Sequence, residues 1–273
     1  MDEAAHGLIR IALAPVRSEP NVRAELISQE PLGAAVTVLE REGEWVEVRG
    51  EDGYAGWMSD GALRFCDADL ARAWWDELGG RPALSLDATI LDDAGSPLVR
   101  LPWGARVAVD GETIVLPDGR RGRAGEGRLI AWTSVADLFP GSGPAVVDTA
   151  FSWIGVPYLW GGRTRWGADC SGFVQAVYRL HGFQLPRDSH QQAEYGEPVD
   201  HDGGLNELQP GDLVFFHATD SNRIVHVGFS LGGPAILHAA VGNGAVQTDR
   251  LGETELGSRL VRRLSGVRRF FWS

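Results

Sequence analysis

Two residue types in this sequence could do covalent chemistry together: one of two cysteines and a spaced pair of histidines. Cys170 follows Asp169, a residue type that commonly caps helix N-termini, and precedes the apolar run Phe173, Val174, Val177 and Tyr178. A cysteine in the first turn of a helix faces unpaired amide N–H groups and the positive end of the macrodipole. Both favour a thiolate, and the expected effect is a pKa lowered by roughly 1–5 units. The same amides could receive an oxyanion when sulfur attacks a carbonyl. Cys66 has no such surroundings and reads as structural.

A sulfur nucleophile needs a base, and the chain has seven histidines. His6, His181 and His201 are expected in solvated positions, and the roles of His190 and His217 stay open. His226 lies in the alternating run Ile224 to Phe229, and His238 lies in Ala235 to Ala239. They are 12 residues apart with Gly232 midway. A hairpin centred there would make them direct cross-strand neighbours, with Cβ atoms about 4.5–5.5 Å apart. Such a pair fits a base and the group that orients it, two partly buried structural histidines, or a metal pair. The metal reading lacks HExxH and a carboxylate cluster, and no metal or other cofactor is expected.

Composition narrows the field. The chain has 273 residues, and its net charge of −12 comes from 25 cations against 37 acids. That balance argues against a nucleic-acid surface, which needs clustered cations. Every cation is an arginine, which excludes Schiff-base chemistry and a P-loop lysine. No run approaches 18 apolar residues, so no membrane span is expected. Asp2 and Glu3 stand where an export signal would carry positive charge, and Arg10 and Pro15 interrupt the first apolar run. The expected location is therefore cytoplasmic, or exported if a leader has been removed.

Positioning such a site requires a fold, and the pattern divides the chain into four parts. Residues 1–66 read as short strands with turns, including Val36–Leu39, Trp45–Val48 and Tyr54–Met58. Residues 67–82 read as a linker helix over Asp69–Leu78, stopped by Gly79, Gly80 and Pro82. Residues 83–140 return to strands, with Ala105–Val109 and Thr113–Leu116. Residues 141–273 open on a helical face of Val146, Val147, Ala150, Phe151 and Ile154. The Cys170 helix and the strands Leu213–Phe216, Ile224–Leu231 and Ala235–Ala240 follow. The fold class expected is an α+β catalytic domain behind two small all-β barrels.

The first segment, from "VRSEPNVRAEL" to "GEDGYAGWM", resembles a bacterial SH3-like domain, and the third is read as a second such barrel. The last segment carries "GVPYLWGGRTRWGADCSGFVQAVYRLHG", "LPRDSHQQ", "PGDLVFF", "IVHVGFSLGG" and "AILHAA" in that order. This series resembles the NlpC-type, papain-like bacterial cysteine peptidases that hydrolyse peptidoglycan stem peptides. The arrangement with two barrels is similar to the γ-D-glutamyl-L-diamino-acid endopeptidases, which act on peptides with a free N-terminal L-alanine. The resemblance implies Cys170 as nucleophile, His226 as base and His238 as the orienting residue. It further implies Tyr158, Asp169, Ser171, Asp188 and Ser189 as substrate-site residues, and Glu25 and Tyr54 of the first barrel as a site for the substrate's N-terminus. Two other readings compete: a broader endopeptidase acting on intact peptidoglycan, and a wall-binding protein without catalysis.

Overall fold

The computed structural model describes residues 5–77, 80–200 and 204–271. The sequence readings at Asp2, Glu3, Leu78, Gly79 and His201 lie outside these. The chain divides into two compact units, residues 1–135 and 136–273.

The first unit is built from two seven-stranded antiparallel sheets. β1 (His6–Ile9), β2 (Leu13–Arg17), β3 (Leu26–Pro31), β4 (Ala35–Glu42), β5 (Trp45–Arg49), β6 (Ala55–Ser59) and β7 (Leu63–Cys66) form one, in the order β3-β2-β6-β5-β4-β1-β7. After the helix α1 (Ala68–Glu77), a second sheet contains β8 (Arg81–Leu86), β9 (Ala88–Leu91), β10 (Pro97–Leu101), β11 (Arg106–Asp110), β12 (Thr113–Val115), β13 (Arg121–Ala124) and β14 (Arg128–Ala131). Its order, β10-β9-β13-β12-β11-β8-β14, repeats the first. Alternation explains both: Val46 and Val48 of β5, and Val16 and Met58 beside them, fill one interior, while Ile90, Val107 and Ile114 fill the other.

The two barrels are SH3-like, and α1 joins them. Leu8, Cys66, Ala71, Trp74, Ala108 and Val115 make one buried cluster, and Trp74 Nε1–H donates to the Gly33 carbonyl at 3.3 Å. The expected regular helix is broken at Ala73, whose φ of −144° and ψ of 40° lie outside the helical region. His6, expected in solvent, pairs in β1 with Thr37 and Cys66.

The second unit begins beside the short α2 (Val135–Leu138) and places helices on a six-stranded sheet. α3 (Gly143–Phe151) buries Val146, Val147 and Ala150. Phe151 and Ile154, expected on that same face, are 40% and 52% exposed, because the helix ends at Phe151 before another turn can bring Ile154 round. After a small ribbon of β15 (Arg163–Thr164) and β16 (Gly167–Ala168) comes the central α4 (Cys170–Leu180), then α5 (Ser189–Gln192). The sheet consists of β17 (Glu197–Pro198), β18 (Leu213–His217), β19 (Ile224–Gly232), β20 (Ala235–Ala240), β21 (Ala245–Arg250) and, past α6 (Glu255–Val261), β22 (Leu264–Arg269). Its order is β17-β22-β18-β19-β20-β21.

Phe173 of α4 packs edge-on against Phe229 of β19 at 5.1 Å, and Tyr178 stacks on Phe229 at 5.6 Å. This aromatic spine fixes α4 on the sheet. His181, also expected in solvent, is buried: its ring nitrogens contact the Pro140 carbonyl at 2.7 Å and Thr149 Oγ at 2.9 Å. Those two partners tie the end of α4 to α3 and to the segment leading into it. No helix among the described residues is long and apolar enough to cross a membrane.

Candidate active site

Asp169 caps α4 in extended conformation, its side chain accepting from Gly172 N–H at 2.7 Å. That leaves Cys170 as the first helical residue. The helix start sits close against Gly162, since a Cβ on Gly172 would lie 2.1 Å from the Gly162 carbonyl. Only glycine fits there, and the close approach locks the turn before the cysteine.

Asp169 does more than cap. Its Oδ2 accepts from Gly161 N–H at 2.9 Å and from Arg187 Nη2 at 2.5 Å, and Oδ1 accepts from Arg187 Nη1 at 3.0 Å. Arg187 Nη1 also donates to Ser171 Oγ at 2.9 Å, and Ser171 Oγ donates to Asp169 Oδ1 at 3.3 Å. All three side chains are buried, Arg187 to within 2% of full burial. Gln192 donates to the Ser171 carbonyl at 3.1 Å and to the Pro186 carbonyl at 2.9 Å, which ties the Arg187–Asp188–Ser189 segment to the same helix start.

The expected low thiol pKa is overturned. Burial and then the Asp169 carboxylate push the Cys170 thiol up to about 12, outweighing hydrogen bonds from the Val227 and Ser171 backbones and the Arg187 charge. A helix N-terminus lowers a thiol pKa only where the thiolate keeps some solvation, and Cys170 is buried. At rest Cys170 is a neutral thiol. Its hydrogen bond with the backbone of Val227 joins the start of α4 to β19, next to His226 in the chain.

Both imidazoles come together, though not in the expected register. A bulge between Ser230 and Gly232 shifts the β19–β20 pairing, so that Phe229 faces Leu237 and Ser230 faces Ile236. Gly228 therefore lies against His238, where a Cβ would come 2.9 Å from the His238 Cβ. His226 is the diagonal neighbour two residues on. With no side chain at Gly228, His226 Nε2 reaches His238 Nδ1 at 2.7 Å. His238 is fully buried, and its Nε2 meets Asp249 Oδ2 at 2.9 Å. Asp249 lies diagonally across from His238 on β21, where Gln247 is the directly paired residue. Loss of hydration, His238 and Arg263 hold the His226 pKa well below its usual value, so this ring is neutral at rest.

Tyr158 bridges to Ala168 just ahead of Asp169. Burial, then the neighbouring Cys170 and Asp169, raise its phenol well above the usual range, so it keeps its proton and remains a donor. Ser189 is buried at the start of α5, and Asp188 occupies the N-cap position. Glu25 and Tyr54 belong to the first unit: Glu25 is exposed ahead of β3, and Tyr54 precedes β6 with its N–H donating to Asp52 at 3.0 Å. Sequence reasoning left Arg187, Gln192 and Asp249 out of the site. Arg187 and Gln192 had a signal, their place in the run "LPRDSHQQ", and Asp249 had none.

Comparison with known proteins bears on the family and the fold. Residues 155–265 match the NlpC/P60 family, and residues 16–63 match the bacterial dipeptidyl-peptidase SH3 domain. The second unit thus carries an NlpC/P60 domain, the domain of a cysteine peptidase family, and an SH3 domain of the dipeptidyl-peptidase type lies ahead of it. It is 29% identical over 231 residues to the γ-D-glutamyl-L-lysine dipeptidyl-peptidase of Bacillus cereus, covering 79% of this chain and 67% of that protein. It is 28% identical over 268 residues to dipeptidyl-peptidase 6 of Lysinibacillus sphaericus, covering 91% and 92%. The crystal structure of an NlpC/P60 family protein from Bacillus cereus shares the fold, with a TM-score of 0.79 at 23% identity over 97% of this chain and 99% of that one.

Proposed function

We propose that the protein hydrolyses the bond between γ-D-glutamate and an L-diamino acid in peptidoglycan stem peptides that carry a free N-terminal L-alanine. The observation that carries this reading is the hydrogen-bonded His226–His238 pair next to Val227, whose backbone bonds the Cys170 sulfur. The names of the two relatives and the dipeptidyl-peptidase type of the SH3 domain support the choice of substrate.

In this reading His226 takes the Cys170 proton as sulfur attacks the γ-carbonyl of D-glutamate, since neither group is charged at rest. The amide carbonyl oxygen becomes an oxyanion near the N–H groups that open α4. Protonated His226 then gives its proton to the departing amine of the diamino acid, leaving a thioester on Cys170. Water, deprotonated by His226, adds to the thioester and releases the dipeptide. His238 holds the His226 ring. Tyr158, Ser171, Asp188 and Ser189 shape the substrate site. Asp169, whose oxygens already receive five donors, acts chiefly by holding the helix start.

Glu25 and Tyr54 receive the substrate's ammonium in this reading, because a charged amine leaves water readily only for a carboxylate partner. The test compares a free L-Ala-γ-D-Glu-L-diamino-acid tripeptide with its N-acetyl form on wild type, Glu25→Gln and Tyr54→Ala. Acetylation removes a charge-assisted hydrogen bond worth about 1.5–3 kcal/mol, so kcat/KM falls at least roughly tenfold. Equal turnover of both forms by the wild type overturns the free-amine requirement and favours an endopeptidase of intact peptidoglycan.

A further inference from the structure

We infer that Asp249 is a positioning residue of the reaction: its carboxylate sets the tautomer of both imidazoles and so aims the basic nitrogen of His226. The inference rests on the proposed roles of Cys170 and His226. It starts from what faces the carboxylate. His238 Nε2 lies 2.9 Å and Asn243 Nδ2 2.7 Å from Oδ2, and Thr254 Oγ lies 2.7 Å from Oδ1. An ionised carboxylate only accepts, so each of these partners is a donor. A His238 ring with a single proton therefore carries it on Nε2 and leaves Nδ1 bare.

The next step follows from distance. His238 Nδ1 and His226 Nε2 are 2.7 Å apart, and two bare lone pairs cannot be held that close. His226 Nε2 must carry the proton and donate it. Neutral His226 then has its lone pair on Nδ1, the only nitrogen left to take a proton from the Cys170 thiol. One proton moves, from Sγ to Nδ1, and the rest of the chain keeps its hydrogens. The new imidazolium donates through Nε2–H to His238, whose own N–H points at the negative charge of Asp249.

That charge is available because its other partners, Asn243 and Thr254, are neutral. Thr254 is also the N-cap of α6, accepting from Gly257 N–H at 3.0 Å, so Asp249 is fixed by a second element. Among the described residues, the charged and titratable groups around the relay are few. Arg263 opposes protonation of His226. Asp169, Arg187 and Tyr158 act at the Cys170 end. Phe216 on β18 packs its ring 5.7 Å from His226 and contributes no charge.

The test uses the full chain with Cys66→Ala, so that Cys170 is the one thiol, and compares it with the same chain bearing Asp249→Asn. Iodoacetamide alkylation of Cys170 and tripeptide kcat/KM are both measured against pH, with thermal unfolding as the control for folding. Asparagine keeps the shape and an acceptor oxygen but removes the charge. Both rates are expected to fall about 10–100-fold near neutral pH, the loss in turnover appearing in kcat rather than KM. Their acidic limbs are expected to move to lower pH, because an imidazolium without its counter-charge releases its proton more readily. A folded Asp249→Asn protein with unchanged rates and limbs overturns the inference. So does a loss that only tracks the unfolded fraction, with the limbs in place. If the tripeptide is not hydrolysed by the parent while the alkylation limb shifts as expected, the substrate reading fails and the relay stands.

Discussion

Two buried carboxylates hold the two ends of this site, and they are spent differently. Asp169, at the nucleophile end, is matched by a guanidinium, two backbone amides and a hydroxyl, so its charge is neutralised on the spot. Asp249, at the base end, is met by an amide, a hydroxyl and an imidazole, none of them a fixed cation. The first arrangement makes a rigid platform that starts a helix. In the proposed reaction the second leaves a negative charge ready for the positive one that forms on His226. Cys170 and His226 both rest neutral: burial, then Asp169, raises the thiol to about 12, and burial, then His238 and Arg263, lowers the imidazole.

The sharpest test of this division lies at the nucleophile. Cys170→Ala is expected to abolish peptide hydrolysis, whereas Cys66→Ala, in the core between the barrels, keeps turnover near wild type. Equal losses in two folded variants would remove Cys170 from its role. At the base end, His226→Ala should reduce kcat/KM by about 10²–10⁴-fold, and His238→Ala by less, because water can partly replace an orienting group. A larger loss at His238 at matched stability would reverse the two roles.

The platform is tested by stability instead of rate. Arg187→Met leaves Asp169 buried without its cation and is expected to cost about 3–5 kcal/mol in urea unfolding. Adding Asp169→Asn should recover part of that loss. No recovery would mean that the guanidinium acts through packing alone. The smallest expected effect concerns acid stability. Hydrogen bonds, first from His238, hold the Asp249 carboxyl at about 2 against an ordinary 3.8. A depressed carboxyl pKa stabilises the fold above the unfolded value, and that contribution fades as pH falls from about 4 towards 2. Asp249→Asn should therefore flatten the fall in stability across that window, and an unchanged slope would place the acid sensitivity elsewhere.

Much of the frame can be read in the amino-acid order, because it depends on local pattern. The cap at Asp169, the strand Ala235–Ala240 and the alternating strands of both barrels follow from residue type and period. What escaped depends on contacts distant in sequence. The bulge that turns a direct histidine pair into a diagonal one lies between Ser230 and Gly232, where the sequence shows only a turn. Asp249 sits in the unremarked run Ala245–Arg250, and only the pairing of β20 with β21 brings it to His238. The thiol pKa went the wrong way because local sequence shows a helix start but not how deeply the rest of the unit buries it. His181 was misjudged for the same reason, since its partners Pro140 and Thr149 lie 41 and 32 residues away.

The shared cluster around Trp74 bears on how such chains can be recombined. Its members come from β1, β7, α1, β11 and β12, so cutting the gene after Cys66 would strip the apolar lining from both halves at once. The two barrels are then a single heritable cassette, melting together and transferable together. A seam for domain grafting lies after residue 135 and not between the barrels.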